Sequence, residues 1–203
     1  MTWWLRVVRP NLPNAITLFR VAMVPLLMVF LLVRMSGGEM VALLVFLAAA
    51  ASDFVDGFLA RRWRQTSMVG AFLDPLADKL LVTAALVSLV QLGKLSAWVG
   101  MVVIARELAV SGLRMVAAAQ NQVIAASRWG KIKTASQILA IACLIVEPRW
   151  LKPQWGVGGR SITWYVVILM LVLTVASGVD YFVRVWPRLR GRFSEPVRVE
   201  KVK

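Results

Sequence analysis

The sequence predicts an all-α, polytopic membrane protein with six transmembrane helices and a short interfacial segment ahead of them. Three observations carry that expectation. Hydrophobic residues fill 60% of the 203 positions and the mean hydropathy is +0.74, so no soluble domain of useful size can be cut from the chain. The apolar residues come in long runs, most of them near the roughly 20 residues that cross a bilayer as a helix. Lys and Arg are concentrated on alternate connections between those runs, as expected of a chain that threads the membrane repeatedly. The whole of 1–203 reads as one integral membrane domain, with 1–13 interfacial and 187–203 a basic tail.

Met1 to Arg9 mixes Trp3, Trp4, Leu5, Val7 and Val8 with two arginines, which suits a segment lying in the headgroup layer, and Pro10 and Pro13 end it. Arg6 and Arg9 ahead of an apolar run resemble the start of a signal peptide, but no small-residue cleavage site follows, so the segment is read as retained. The first span runs from about Ala15 to Val33, and Gly37-Gly38 marks the return. The second, about Met40 to Ala60, ends in two aspartates and then Arg61, Arg62 and Arg64. The third, about Gly70 to Leu92, opens with two more aspartates, and Pro75 is expected to kink it. Gly93-Lys94 turns into the fourth, about Ser96 to Ala119, where Arg106, Glu107, Ser111 and Arg114 make a polar stripe.

The fifth apolar run, Ala135 to Val146, is too short to cross the bilayer and must extend upstream through Lys133, Lys131 and Trp129. Two lysines then lie near membrane depth, which is expensive unless they face a wet pocket. Arg149 to Arg160, with Trp150 and Trp155, reads as an interfacial loop; its Gly156-Val157-Gly158-Gly159 follows no strand and is no phosphate loop. The last span, about Ile162 to Val185, leads into the basic tail. Six spans put both termini on one side, together with Arg61, Arg62, Arg64, Arg128, Lys131 and Lys133, and the positive-inside rule makes that side cytoplasmic. The net charge of +14 therefore points to anionic lipid and phosphorylated substrates, not to nucleic acid. The one cysteine, Cys143, lies inside an apolar run, so there is no disulfide framework.

Four carboxylates stand out against this background. At 100° per residue Asp53, Asp56, Gly57 and Ala60 fall within one narrow arc, and Gly70, Asp74 and Asp78 within another. A carboxylate at bilayer depth costs roughly 2.5 to 3.5 kcal/mol, so four cost on the order of 10 kcal/mol if the terms add. Arg61 and Lys79 are too few to offset that, and divalent metal is the natural supply. Oxygen ligands only, with no His in the chain, favour Mg²⁺ or Mn²⁺ over zinc or copper.

The pattern Asp-x2-Asp-Gly-x2-Ala-Arg-x8-Gly-x3-Asp-x3-Asp, complete here from Asp53 to Asp78, resembles the signature of the CDP-alcohol phosphotransferase family of membrane enzymes. The resemblance implies transfer of a substituted phosphate from a CDP-linked lipid or alcohol to a hydroxyl, with release of CMP. It implies metal ligation by Asp53, Asp56, Asp74 and Asp78, with Asp78 as general base, and a homodimer. It places the cytidine end at Asp53, Gly57, Ala60, Arg61 and Gly70, with Asn14 and Thr17 closing the pocket. For Asn14 and Thr17 a helix cap and a helix-packing contact remain the alternative.

The acceptor must be recognised by the second half of the chain. Arg106, Arg114, Lys131 and Lys133 form a cationic set that fits a phosphate; snorkelling is the alternative. Asn14-x2-Thr17-x2-Arg20, Arg106-Glu107-x3-Ser111-x2-Arg114, Gly130-Lys131-x-Lys133-Thr134-x2-Gln137 and Ser177-Gly178-x2-Tyr181 are similar to the branch of the family that transfers to sn-glycerol 3-phosphate. Met115 stands where that branch leads one to expect an acidic residue, which bears on acceptor specificity and not on reaction class. The resemblance thus implies a phosphatidyl transfer from CDP-diacylglycerol to glycerol 3-phosphate, in a bacterial cytoplasmic membrane with the site on the cytoplasmic side. Inositol phosphate, phosphatidylglycerol or serine as acceptor is the nearest competing expectation. A divalent-cation transporter using the aspartates as a relay is the competitor from another class; it requires carboxylates near mid-membrane and open to both faces.

Overall fold

The computed structural model describes residues 12–33, 35–63, 68–119, 128–147 and 161–190, with side chains left out at 12–17, 53–63, 68–76, 78, 119, 128–129 and 187–190. Six helices account for nearly all of it: α1 Leu12–Leu32, α2 Gly38–Trp63, α3 Met68–Gln91, α4 Ala97–Ala119, α5 Arg128–Val146 and α6 Ile162–Arg190. There is no strand among the described residues. Each expected span has its helix, and α5 extends upstream through both lysines as its short apolar run required. The helix ends differ where charge begins. α2 carries on past Ala60 through Arg61 and Arg62 to Trp63, and α6 runs beyond Val185 to Arg190, because arginine is a good helix former and loss of hydrophobicity alone does not stop a helix. Of the expected interfacial segment 1–13, Leu12 and Pro13 belong to α1, while residues 1–11, the expected loop 149–160 and the tail beyond 190 lie outside the described residues.

Glycine sets two of the turns. Gly37 has φ of 80° and Gly93 φ of 70°, a left-handed conformation that costs any residue with a Cβ about 1 kcal/mol or more. At the end of α3 the amide of Lys94 bonds the carbonyl of Leu89 (3.0 Å) and the amide of Gly93 that of Val90 (3.0 Å), a Schellman cap with Gly93 at its left-handed position. α1 carries Pro25 in its interior without ending there. The helix assignment of α3 is continuous across Pro75, whose expected kink involves a side chain outside the described set.

α1 packs on α2 and α3, α5 on α6 and α2, and α4 mainly on α6. Leu27, Leu31, Phe46, Leu81, Leu86, Leu89, Ile141, Ile145 and Met170 fill one continuous core. Large apolar side chains also cover the outside, among them Leu18, Leu44, Trp98, Leu108, Leu139, Leu169, Val172 and Phe182. A monomeric soluble protein rarely exposes apolar surface so extensively. Among the described residues one stretch, Ile162–Trp186 in α6, is long and apolar enough on its own to cross a membrane. Shorter apolar stretches, Leu18–Leu32, Gly38–Ser52 and Lys79–Gln91, belong to α1, α2 and α3, while α4 carries Arg106, Glu107 and Arg114 and α5 Lys131 and Lys133 within their lengths.

Candidate active site and acceptor cluster

The aspartate motif straddles one connection. Asp53 and Asp56 lie in the second half of α2 and Asp74 and Asp78 in the first half of α3, all on helical backbone, so the two three- and four-residue spacings are carried on helices as expected. Their side chains, with those of Gly57, Ala60, Arg61, Gly70, Asn14 and Thr17, lie outside the described set. Among the described residues no group of three or more acidic, His or Cys side chains comes together as a metal site. Of the neighbouring positions that are described, Ala77 and Leu81 are buried and Leu80 is exposed, and the Ser52 hydroxyl donates to the carbonyl of Ala49 at 2.8 Å. Arg20 of α1, only 1% exposed, is the largest fully buried side chain among the described residues. It is not without a partner. The sequence pattern included Arg20 but gave no sign of its burial; the helical position of a cation among apolar residues on a helix packed against two others is the signal that carries it.

A second polar cluster lies among the described side chains. Arg106 and Glu107 of α4, Lys133 of α5 and Ser177 of α6 meet inside the bundle. The Arg106 guanidinium donates through Nη1 to Glu107 Oε1 at 3.1 Å and through Nη2 to Ser177 Oγ at 2.9 Å. Lys133 Nζ donates to the same oxygen, Glu107 Oε1. Ser177 in turn donates to the Thr174 carbonyl at 3.0 Å. The Lys133 side chain is 5% exposed, that of Arg106 14% and that of Glu107 22%. Charges this deep require opposite charge and hydrogen bonds, and the Glu107 carboxylate serves both cations. Arg106 Nε has no hydrogen-bond partner among the described residues, nor has the buried amide nitrogen of Gln137, one turn along α5 from Lys133.

Of the four cations expected at an acceptor phosphate, the fold brings Arg106 and Lys133 together. Arg114 is exposed, two turns along α4, with its guanidinium carbon 6.0 Å from the centroid of the Tyr181 ring. Lys131 is exposed on α5. Glu107 enters as the common partner, a part the sequence reading did not assign to it. An acid beside an arginine within an apolar helix was the available signal, since an intramembrane carboxylate needs cations near it.

Among the described residues, six helices with an apolar exterior carry the aspartate motif on two consecutive helices and a buried cluster of Arg106, Glu107 and Lys133. The profile of the CDP-alcohol phosphatidyltransferase family matches residues 10–177, and the chain belongs to that family. Relatives named CDP-diacylglycerol–glycerol-3-phosphate 3-phosphatidyltransferase are similar to it over most of its length. The one from Bacillus subtilis is 38% identical over 192 residues, covering 89% of this chain and 97% of the relative. Those from Salmonella choleraesuis and Escherichia coli are 43% and 41% identical over 148 residues, 70% of this chain and 81% of each relative.

Proposed function

We propose that this chain transfers the phosphatidyl group of CDP-diacylglycerol to the primary hydroxyl of sn-glycerol 3-phosphate, forming phosphatidylglycerophosphate and CMP in phospholipid synthesis. The observation that carries the reading is the match to relatives of that name across nearly the whole chain, aspartate motif and acceptor cluster together. In the reaction the acceptor oxygen bonds to the phosphatidyl phosphorus, the bond from that phosphorus to the bridging oxygen breaks, and CMP leaves with the bridging oxygen. The hydroxyl proton passes to the Asp78 carboxylate. With no His in the chain, a carboxylate is the available base in this motif.

Asp53, Asp56, Asp74 and Asp78 would hold Mg²⁺ or Mn²⁺. Hard carboxylate oxygens carried at helical spacing on two consecutive helices fit those ions. When bound, the metal supplies positive charge to the pyrophosphate oxygens. Gly57, Ala60 and Gly70 leave room for the cytidine, with Asp53, Arg61, Asn14 and Thr17 around it, and Arg20 supplies buried positive charge on the adjacent helix. Arg106 and Lys133 take the phosphate of the acceptor, with Arg114 and Lys131 towards its approach. Their support is the convergence of two buried cations on the single Glu107 carboxylate and the Arg106 Nε that has no partner among the described residues. All six helices cross the membrane, both termini and the site face the cytoplasm, and the enzyme is a homodimer; the lysine and arginine distribution supports the orientation.

The test is CMP release from CDP-diacylglycerol with Mg²⁺ or Mn²⁺, with and without glycerol 3-phosphate. Release that needs both metal and acceptor is expected. Metal-dependent release that ignores glycerol 3-phosphate but responds to serine or inositol phosphate would replace the acceptor. Liposomes that move Mn²⁺ while leaving the CDP-lipid intact would replace the reaction.

A further inference from the structure

Arg106 leaves α4 and is received on α6 by two consecutive residues. Ser177 is buried, and its hydroxyl proton is committed to the Thr174 carbonyl, so the oxygen's lone pairs are what it presents to Arg106 Nη2. Gly178 leaves a flat place for the arginine stem: a Cβ built there would stand 3.0 Å from Arg106 Cγ and 3.5 Å from Nε. Displacement towards the groove between α4 and α6 brings no compensation, because Val110, Leu113, Val175, Val179 and Phe182 line it. One end of the guanidinium is thus tied to Glu107, the other to Ser177, and the stem is laid against Gly178. Nε keeps its proton free of any partner among the described residues.

We propose that Ser177 and Gly178 are positioning residues that aim Arg106 at the phosphate of the acceptor and so set the affinity for a phosphorylated acceptor. The inference rests on the reading of Arg106 as part of the acceptor site. Neither residue needs to touch the acceptor. A guanidinium recognises phosphate through paired, directional hydrogen bonds, and a few tenths of an ångström of displacement degrades them. Glycine at 178 prevents that displacement by leaving the stem its room, and Ser177 prevents rotation about the end of the side chain.

The experiment is steady-state kinetics on the full-length protein in vesicles of phosphatidylethanolamine and phosphatidylglycerol, varying glycerol 3-phosphate and CDP-diacylglycerol separately. The variants are Ser177→Ala, Ser177→Thr, Gly178→Ala and Arg106→Gln. Ser177→Ala and Gly178→Ala are expected to raise KM for glycerol 3-phosphate by about three- to tenfold, with kcat within about twofold and KM for CDP-diacylglycerol unmoved. Ser177→Thr, which keeps the hydroxyl, should restore the wild-type KM. If Arg106→Gln raises that KM but Ser177→Ala and Gly178→Ala do not, the positioning role is overturned and the acceptor site stands. If Arg106→Gln also leaves it unchanged, the acceptor site falls and takes the inference with it. A parallel loss of kcat, of both affinities and of thermal stability in Ser177→Ala would show packing alone and overturn the inference equally.

Discussion

Among the described residues two carboxylate–lysine pairs hold the helices together, and they are built to different ends. At the rim formed by the start of α2, the turn after α3 and the end of α5, Lys94 Nζ donates to Glu39 Oε1 at 2.9 Å and to the carbonyl of Ile145 at 2.9 Å. Charge there is balanced one for one, and the lysine closes three segments whose backbone must turn. In the interior, Glu107 Oε1 takes both Lys133 and Arg106, and Arg106 Nε has no partner among the described residues. A neutral, satisfied pair is what a structural tie needs. Two buried cations that share one carboxylate, kept in place at the cost of burial, are what an anion site needs. On the proposed reading, the rim serves stability and the interior cluster substrate recognition.

The largest effect is expected on the recognition side. Asp78→Asn should lower kcat by about 10²- to 10⁴-fold, the usual worth of a general base, while the thermal unfolding temperature stays close to that of the wild type. Next comes Lys133→Met, which removes a buried cation of the proposed acceptor site. It should raise KM for glycerol 3-phosphate by about ten- to a hundredfold, corresponding to the roughly 1.5 to 3 kcal/mol of a hydrogen bond to a charged group. A KM for glycerol 3-phosphate that does not move would erase the contrast between the two ends.

Glu107→Gln sharpens the comparison further, because it puts a neutral amide in place of the carboxylate that the buried Arg106 and Lys133 share. Removing one member of such a set costs on the order of 3 kcal/mol, somewhat less here because the carboxylate is partly exposed. The unfolding temperature should therefore fall, and added glycerol 3-phosphate should raise it more in the variant than in the wild type, since the ligand phosphate then supplies the missing negative charge. Equal ligand-induced shifts in the two proteins would mean that the phosphate does not approach these cations.

The same contrast separates what was legible in the sequence from what was not. Helices could be read from apolar run length, down to the upstream extension of α5, because a run of twelve residues cannot cross the membrane and the only continuation includes Lys131 and Lys133. The aspartate motif could be read because its spacing is local to α2 and α3. The acceptor cluster could be read only by residue type. Which cations converge depends on how α4, α5 and α6 rotate against one another. That selected Arg106 and Lys133, sent Arg114 to Tyr181 and left Lys131 on the surface. Glu107 as shared partner and Ser177 as support are contacts 26 and 71 residues apart in the chain, which no local pattern encodes.

The smallest effect belongs to the rim. Lys94→Met removes the ion pair to Glu39 and the bond to the Ile145 carbonyl together, yet the Glu39 side chain is 36% exposed and can turn to water once its partner is gone. Solvent and salt weaken such a pair, and its loss should cost about 0.5 to 1 kcal/mol, lowering the unfolding temperature by a few degrees. Because Lys94 lies across the bundle from Arg106 and Lys133, both KM values and kcat should be unchanged at a temperature where the variant is folded. Kinetics together with a melting curve on this one variant decide whether the two ends are independent. A change in KM for glycerol 3-phosphate would mean that the α3–α4 turn and the end of α5, which Lys94 ties together, transmit their position along α4 and α5 to the cations that those helices carry.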